Sequence, residues 1–304
     1  MLVLQSLAAL CLVILQAIDS NAQQEKAANS EAVAAESGSN DSISRFKGWD
    51  YLVEELLKTG LDRQQVEPLF SSPLMPERGF IPFASNPRES ADLYKGMLVK
   101  SRIAEARSCY QTHKKILTKI AKTQHVPAQV LASLMYVETG CGKNLGNQLV
   151  FARLARLSGL SAPDNVLWNF KRLRAAGENV TLESISLRAN YLKETFLEQL
   201  PALISLSARA KISPFDFKGS SAGAFGIPQF LPLSFIKYGT DGDGDHKVNL
   251  ETISDAAASV ATYLVRNGWK PTKMTRKQKM AVLFTYNRSE PYGSAVLKIA
   301  EKLY

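Results

Sequence analysis

Apolar side chains recur at helical spacing along most of the chain. Phe46, Trp49, Leu52, Leu56 and Leu57 fall on one helical face. The same period predicts helices over roughly 46–60, 92–122, 127–139, 189–210, 252–267 and 275–287. Strand-like alternation is scarce, so the expected fold is mainly α with a small β element. The proline-rich stretch from Ser72 to Pro87 reads as an extended loop. Residues 2–18 carry no charge and end before Ser20-Asn21-Ala22, small residues at both positions that a signal peptidase reads. This predicts a secretory signal over 1–22, slightly short for a spanning helix. Left uncleaved, it would hold the protein at a membrane. Residues 23–45, rich in Ala, Ser, Asn, Gln and Glu, read as a flexible tether. No second tether of that kind follows, which gives one domain over 46–304.

The 304 residues carry 37 Lys and Arg against 28 Asp and Glu, a formal charge of +9. That surplus favours an anionic partner: nucleic acid, a membrane surface or an acidic polymer such as a cell wall. No basic recognition motif accompanies it, and an exported chain does not meet nucleic acid. The three histidines, His113, His125 and His246, are too widely spaced for a zinc site. Of three cysteines, Cys11 lies in the leader behind Leu10, where a lipid-attachment signal needs a small residue. Cys109 and Cys141 lie at similar distances either side of the short link between the helices of 92–122 and 127–139. An antiparallel pair brings them level, which predicts a disulfide in an oxidising compartment; two separate buried thiols are the alternative.

Three segments carry candidate chemistry. In 127–142, Leu131, Leu134, Met135 and Glu138 follow the i, i+3, i+4, i+7 pattern, so Glu138 lies on the apolar stripe where Thr139-Gly140 ends the helix. Desolvation raises a carboxyl pKa, and a glutamate protonated near neutral pH is what a general acid for a glycosidic oxygen requires. A buried ion pair with Arg, or a helix-end residue turned to water, are the structural alternatives. In 219–230, only Phe225 among the first eight residues has a large side chain, and Gln229 adds an amide suited to sugar hydroxyls. A plain close-packing loop has the same composition. In 241–255, Asp241, Asp243 and Asp245 occupy positions 1, 3 and 5 of an EF-hand-like loop, with the Lys247 carbonyl at 7. His246 replaces the usual glycine and Thr252 the closing glutamate, which makes Asp255 the expected closing ligand. A structural calcium is the expected occupant, and no cofactor is expected for catalysis.

Taken together, the sequence resembles the membrane-bound lytic murein transglycosylases of the B type, in the lysozyme-like superfamily. The residues that carry this are Val137-Glu138-Thr139 with Gly142, and Lys218-Gly219-Ser220 through Ala222-Gly223-Ala224 to Gly226, Gln229-Phe230 and Pro232. The acidic loop with Asn249-Leu250, Asn267-Gly268-Trp269, and Tyr286-Asn287 with Ser289 and Tyr292 complete the set. The resemblance implies a lysozyme-like α+β fold and cleavage of the β-1,4 bond between N-acetylmuramic acid and N-acetylglucosamine in peptidoglycan. It implies a 1,6-anhydromuramic product, with Glu138 as the single acid and base. Ser220, Gln229, Tyr286, Asn287 and Tyr292 would contact substrate, and Asp241, Asp243, Asp245, Lys247 and Asp255 would hold the cation. A periplasmic monomer acting on glycan strands is expected. Two departures stand out: Gly140-Cys141 replaces an Arg-Trp pair after Glu-Thr, and 160–190 matches poorly and reads as an insertion. A muramidase of the same fold and a non-catalytic glycan-binding protein are the rival readings.

Overall fold

The computed structural model describes residues 45–86 and 91–304, so the predicted signal and almost all of the tether lie outside the described residues. The described chain is mostly helical; its only strands are two residues long, β1 (Gln148–Leu149) and β2 (Lys218–Gly219), which pair with each other. Within the span expected as one domain, the chain gathers into two compact units, one of 91–148 and 218–304 and the other of 45–86 and 149–217.

The first unit is built on α5 (Ala128–Thr139). All of its residues are buried except Gln129 and Glu138, which are half-buried, as expected for a helix apolar on nearly every side. Around it lie α4 (Lys100–Gln124), α11 (Ile253–Arg266) and α13 (Glu290–Glu301). Ser133 lies in the middle of α5, fully buried, and donates its hydroxyl to the Val296 carbonyl of α13 at 2.6 Å. The helix predicted over 92–122 is interrupted: α3 (Ala91–Gly96) ends at a glycine, and α4 starts only after Val99 takes an extended conformation. At the other end His125 closes α4 in the left-handed region, before Pro127. Also in this unit are α10 (Pro232–Tyr238) and α12 (Arg276–Tyr286).

The second unit contains α1 (Asp50–Leu57), α2 (Arg63–Phe70), α6 (Val150–Ser158), α7 (Pro163–Ala175), α8 (Leu182–Leu197) and α9 (Gln199–Ala210). The single helix predicted over 189–210 is two, joined at Glu198. The segment 160–190, expected as an insertion, forms α7 and the start of α8 and has a defined task. It holds the proline-rich stretch, which is extended as predicted yet buried at Ile81 and Phe83. Buried backbone needs partners, and an extended chain offers none of its own. Asn165 accepts from Ile81 N–H at 2.7 Å and donates to Ile81 O at 3.2 Å. Asn169 accepts from Phe83 N–H at 3.1 Å and donates to Ile81 O at 3.0 Å, and Arg172 donates to Phe83 O at 2.8 Å. One face of α7 therefore stands in for a neighbouring strand.

Candidate active site

Every sequence-predicted site residue lies in the first unit. Glu138 is the penultimate residue of α5, half-buried, at the point where the helix stops. The stop is strongly specified. Gly140, Cys141 and Gly142 all have positive φ (59°, 60° and 87°), and the amides of Gly140 and Cys141 bond back to Tyr136 and Met135 carbonyls. Thr139 fixes the turn to the small-residue loop: its hydroxyl donates to Ile227 O at 3.0 Å and accepts from Gly142 N–H at 3.0 Å. A covalent link joins the same turn to α4, because Cys109 and Cys141 form a disulfide with Cα atoms 6.4 Å apart.

Tyr292, buried near the start of α13, donates its hydroxyl to Glu138 Oε1 at 2.5 Å. Its backbone amide is capped by Ser289 Oγ at 3.2 Å. Tyr286 ends α12, lies parallel to Tyr292 with ring centroids 6.4 Å apart, and donates to Pro228 O at 2.5 Å. Burial first, and then the charge of Glu138, pushes both phenols well above their ordinary range. They therefore stay protonated donors around neutral pH. Tyr94 on α3 meets Tyr292 edge-on at 6.0 Å, and behind Tyr286 stand Tyr263 at 4.7 Å and Phe230 at 6.0 Å. Asn287 follows Tyr286; its side chain is buried with Oδ1 lacking a hydrogen-bond partner among the described residues.

The small residues of 219–230 are needed for packing as well as for access. A Cβ on Gly219 would overlap the Ala224 carbonyl, and Gly226, with φ 72°, lies against the Leu250 side chain. The loop folds on itself: Phe225 and Phe230 exchange both backbone bonds, and Ser220 N–H donates to Ala224 O at 2.8 Å. Ser220 Oγ lies 3.3 Å from Ala224 N, and the Gln229 amide donates to Gly226 O at 3.0 Å and Leu145 O at 3.3 Å. Gln229 itself sits at φ 49°, a strained conformation for a residue with a Cβ.

In the acidic loop, carboxylate oxygens of Asp241, Asp243 and Asp255 lie within 4.8 Å of one another. Asp255 is buried in the first turn of α11 and accepts from Gly242 N–H at 2.9 Å and Asn249 N–H at 2.7 Å. Asp241 accepts from the amides of Gly244 and His246, which hold its carboxyl below the usual range. His246 takes the left-handed turn, at φ 67°, that a glycine would otherwise make. Thr252 caps α11 by accepting from Asp255 N–H at 3.3 Å. Asp245 and Lys247 are exposed; Asp245 lies outside the three-carboxylate group and accepts from Lys247 N–H at 2.8 Å. A donor set made only of carboxylate oxygens matches a hard cation.

Tyr94, Tyr263 and the anchoring role of Thr139 escape a sequence reading. Tyr94 is remote in sequence from Tyr292, and no spacing along the chain reports that they meet.

A carboxylate at the end of a buried helix, backed by tyrosines and a glycine-rich loop in a helical frame, is the arrangement expected of a transglycosylase domain. Residues 46–278 match the family model described as the transglycosylase SLT domain, and the chain belongs to that family. Over 144 residues it is 31% identical to membrane-bound lytic murein transglycosylase B of Escherichia coli strain K12; the match covers 47% of this chain and 32% of that protein, so it spans about a third of the relative's length. Among solved structures, the Escherichia coli lytic transglycosylase Slt35 in complex with calcium superposes with a TM-score of 0.62 at 18% identity, covering 86% of this chain and 94% of the other. SltB3 of Pseudomonas aeruginosa in complex with NAG-anhNAM-pentapeptide gives 0.59 at 19% identity, over 86% and 80%. These two likenesses establish the fold.

Proposed function

We propose that the protein is a lytic murein transglycosylase that cleaves the β-1,4 bond between N-acetylmuramic acid and N-acetylglucosamine and leaves a 1,6-anhydromuramic end. The observation that carries this reading is Glu138: one half-buried carboxyl, fixed by a helix end and hydrogen-bonded by a buried phenol. In the first step protonated Glu138 gives its proton to the glycosidic oxygen as the bond to the anomeric carbon breaks. The sugar's own acetamido group shelters the cationic centre. In the second, the carboxylate takes the proton from the muramoyl 6-hydroxyl as that oxygen closes on the anomeric carbon. The proton returns to Glu138 and no water is consumed. Tyr292 keeps the carboxyl oriented through its hydrogen bond. The buried, unpaired Oδ1 of Asn287 and the carboxamide of Gln229 are suited to substrate hydroxyl and acetamido groups, and Ser220 and Tyr286 are assigned to the same binding role. The groups around Glu138 described above are phenols, which favours this route over a muramidase needing a second carboxylate. Mass spectrometry of digested peptidoglycan tests it: the new ends should be lighter by one water than hydrolytic ends, and reducing ends would assign a muramidase instead.

The same reading places residues 1–22 as an export signal, 23–45 as a tether and 46–304 as the catalytic region, in a periplasmic monomer acting on glycan strands. Among the described residues no helix is long and apolar enough to cross a membrane. Any membrane association is therefore assigned to the N-terminus.

Losing the Tyr292 hydroxyl removes one hydrogen bond to a charged partner, about 1.5–3 kcal/mol. Tyr292→Phe should lower turnover about tenfold or more and lower the melting temperature by several degrees, leaving a folded protein in which the loss of turnover can be read. Unaltered turnover would remove Tyr292 from the machinery.

Calcium fits the acidic loop, with Asp241, Asp243 and Asp255 as its carboxylate ligands. Bound there, it would neutralise three like charges and pin the loop to α11. A ligand bound only by the folded state adds RT ln(1 + [L]/Kd), about 2.7 kcal/mol at a hundredfold excess. After chelation, added calcium should raise the melting temperature, magnesium should do less, and Asp241→Ala with Asp243→Ala should abolish the rise. Superimposable melts with and without calcium would reduce the loop to an acidic turn.

A further inference from the structure

The first unit carries a concavity that the mechanism does not use. The turn Asn267–Lys270 and α12 enclose a groove of about 270 Å³, lined by Asn267, Gly268, Lys270, Gln278, Ala281 and Val282. Its two carboxamides are committed in opposite senses. Asn267 spends its amide nitrogen inward, on Tyr263 O at 2.8 Å and Tyr238 Oη at 3.2 Å. Gln278 spends its oxygen on the cap of α12, accepting from Thr275 N–H at 2.8 Å and Thr275 Oγ1 at 3.1 Å, which leaves its NH₂ group as a donor at the groove. Lys270 is exposed, and the turn behind it is closed by its own amide donating to Met274 Sδ at 3.2 Å.

The chain segment that forms most of the groove carries charge of one sign. Residues 266–279 contain six Lys and Arg and no Asp or Glu. Arg276 pairs with Glu301 at 2.9 Å, whereas Lys270, Lys273, Lys277 and Lys279 make no ion pair among the described residues. Arg276 and Lys277 also open α12, where the helix dipole disfavours cations. Helix stability therefore does not account for their position, and mutual repulsion makes the cluster costly unless an anion meets it. The donors at hand, ammonium groups and one carboxamide NH₂, are those that recognise carboxylates. A concave site with an apolar floor of Ala281 and Val282 suits a peptide chain bearing carboxylates better than a flat lipid surface does.

We infer that this groove is a second binding site, separate from Glu138, for an acidic peptide such as the carboxylate-bearing peptide attached to murein glycan. This rests on the proposed murein-directed function. The site adds affinity for peptide-bearing strands through salt-sensitive attraction and leaves the chemistry to Glu138. Val282 lies four residues before Tyr286 on α12, so an occupied groove abuts the wall of the catalytic site.

The test is a titration of a fluorescently labelled acidic pentapeptide with free carboxylates into the full chain, at low and high salt. The same peptide with its carboxylates amidated, and vesicles of anionic phospholipid, are run alongside. The variant is Lys270→Gln with Lys273→Gln and Lys277→Gln, all three at exposed positions. Wild-type protein should bind the acidic peptide in a salt-dependent way, and the variant on the order of tenfold more weakly. The amidated peptide should bind no better than the variant binds the acidic one. Turnover of short glycan lacking peptide should be the same for both proteins. Equal peptide affinity in wild type and variant, equal binding of the amidated peptide, or a preference for vesicles over peptide would each overturn the inference. Peptide binding without any glycan cleavage would count against the catalytic reading and leave the groove standing.

Discussion

Glu138→Gln is expected to abolish glycan cleavage to within about one part in a hundred or less of wild-type turnover. The amide keeps the size and one acceptor oxygen of the carboxyl, so Tyr292 still has a partner and the buried end of α5 gains no cavity. What it loses is the transferable proton, and with it both halves of the reaction: protonation of the leaving oxygen and deprotonation of the 6-hydroxyl. The effect should fall on kcat, while binding of glycan oligosaccharides and the melting temperature stay near wild type. A folded Gln variant that turns over at the wild-type rate would refute the assignment outright. Intact turnover by the wild type together with reducing ends in the product would leave Glu138 as the acid and change only the acceptor.

Removing the Cys109–Cys141 bond should be the largest single loss of stability. The two residues are 32 apart in sequence. Closing a loop of that size restricts the unfolded chain enough to contribute roughly 3–4 kcal/mol. The double variant Cys109→Ser and Cys141→Ser should therefore unfold at markedly lower denaturant, with an unchanged slope if only stability has moved. Activity should fall as well, since Cys141 lies three residues past Glu138 in a turn of three consecutive positive-φ residues. Titration of denatured, unreduced protein should find neither thiol free; two reactive thiols would show that the bond does not form in solution.

The sequence revealed most where a side chain's chemistry conflicted with its surroundings. A glutamate on an apolar stripe pointed to Glu138, and alternating aspartates in a basic chain pointed to the acidic loop. Periodicity located α5, α11 and α12 to within a residue or so, because each is bounded by a clear start or stop, such as Pro127 and Gly140 around α5 and the Thr252 and Thr275 caps of α11 and α12. It failed where the pattern ran across a break, as at Gly96 between α3 and α4 and at Glu198 between α8 and α9, since neither junction disturbs the apolar period enough to show. It passed over α2, α6, α7, α10 and α13, three of which begin with Pro163, Pro232 or Glu290-Pro291, prolines that mark helix starts as readily as loops. Within the acidic loop, spacing proposed Asp241, Asp243 and Asp245 with Asp255 closing the set; that Asp255 also caps the Gly242 and Asn249 amides is visible only once α11 is placed. The tyrosines near Glu138, Tyr94, Tyr263, Tyr286 and Tyr292, come from four helices, so only folding assembles them.

The hold of α7 on the proline-rich stretch makes two unlike repeats commensurate. Asn165 and Asn169 are four residues apart, about 6 Å along a helix axis. Ile81 and Phe83, the residues they hold, are two apart, about 6.6 Å along an extended chain. Because the lengths agree, the Asn165 carboxamide brackets Ile81, and the Asn169 carboxamide spans from the Ile81 carbonyl to the Phe83 amide. A stretch without regular structure is usually the place where a chain accepts added or deleted residues freely. Here an added residue between Ile81 and Phe83 would put the second carboxamide opposite the wrong peptide group, so this irregular segment has a register, as a strand does.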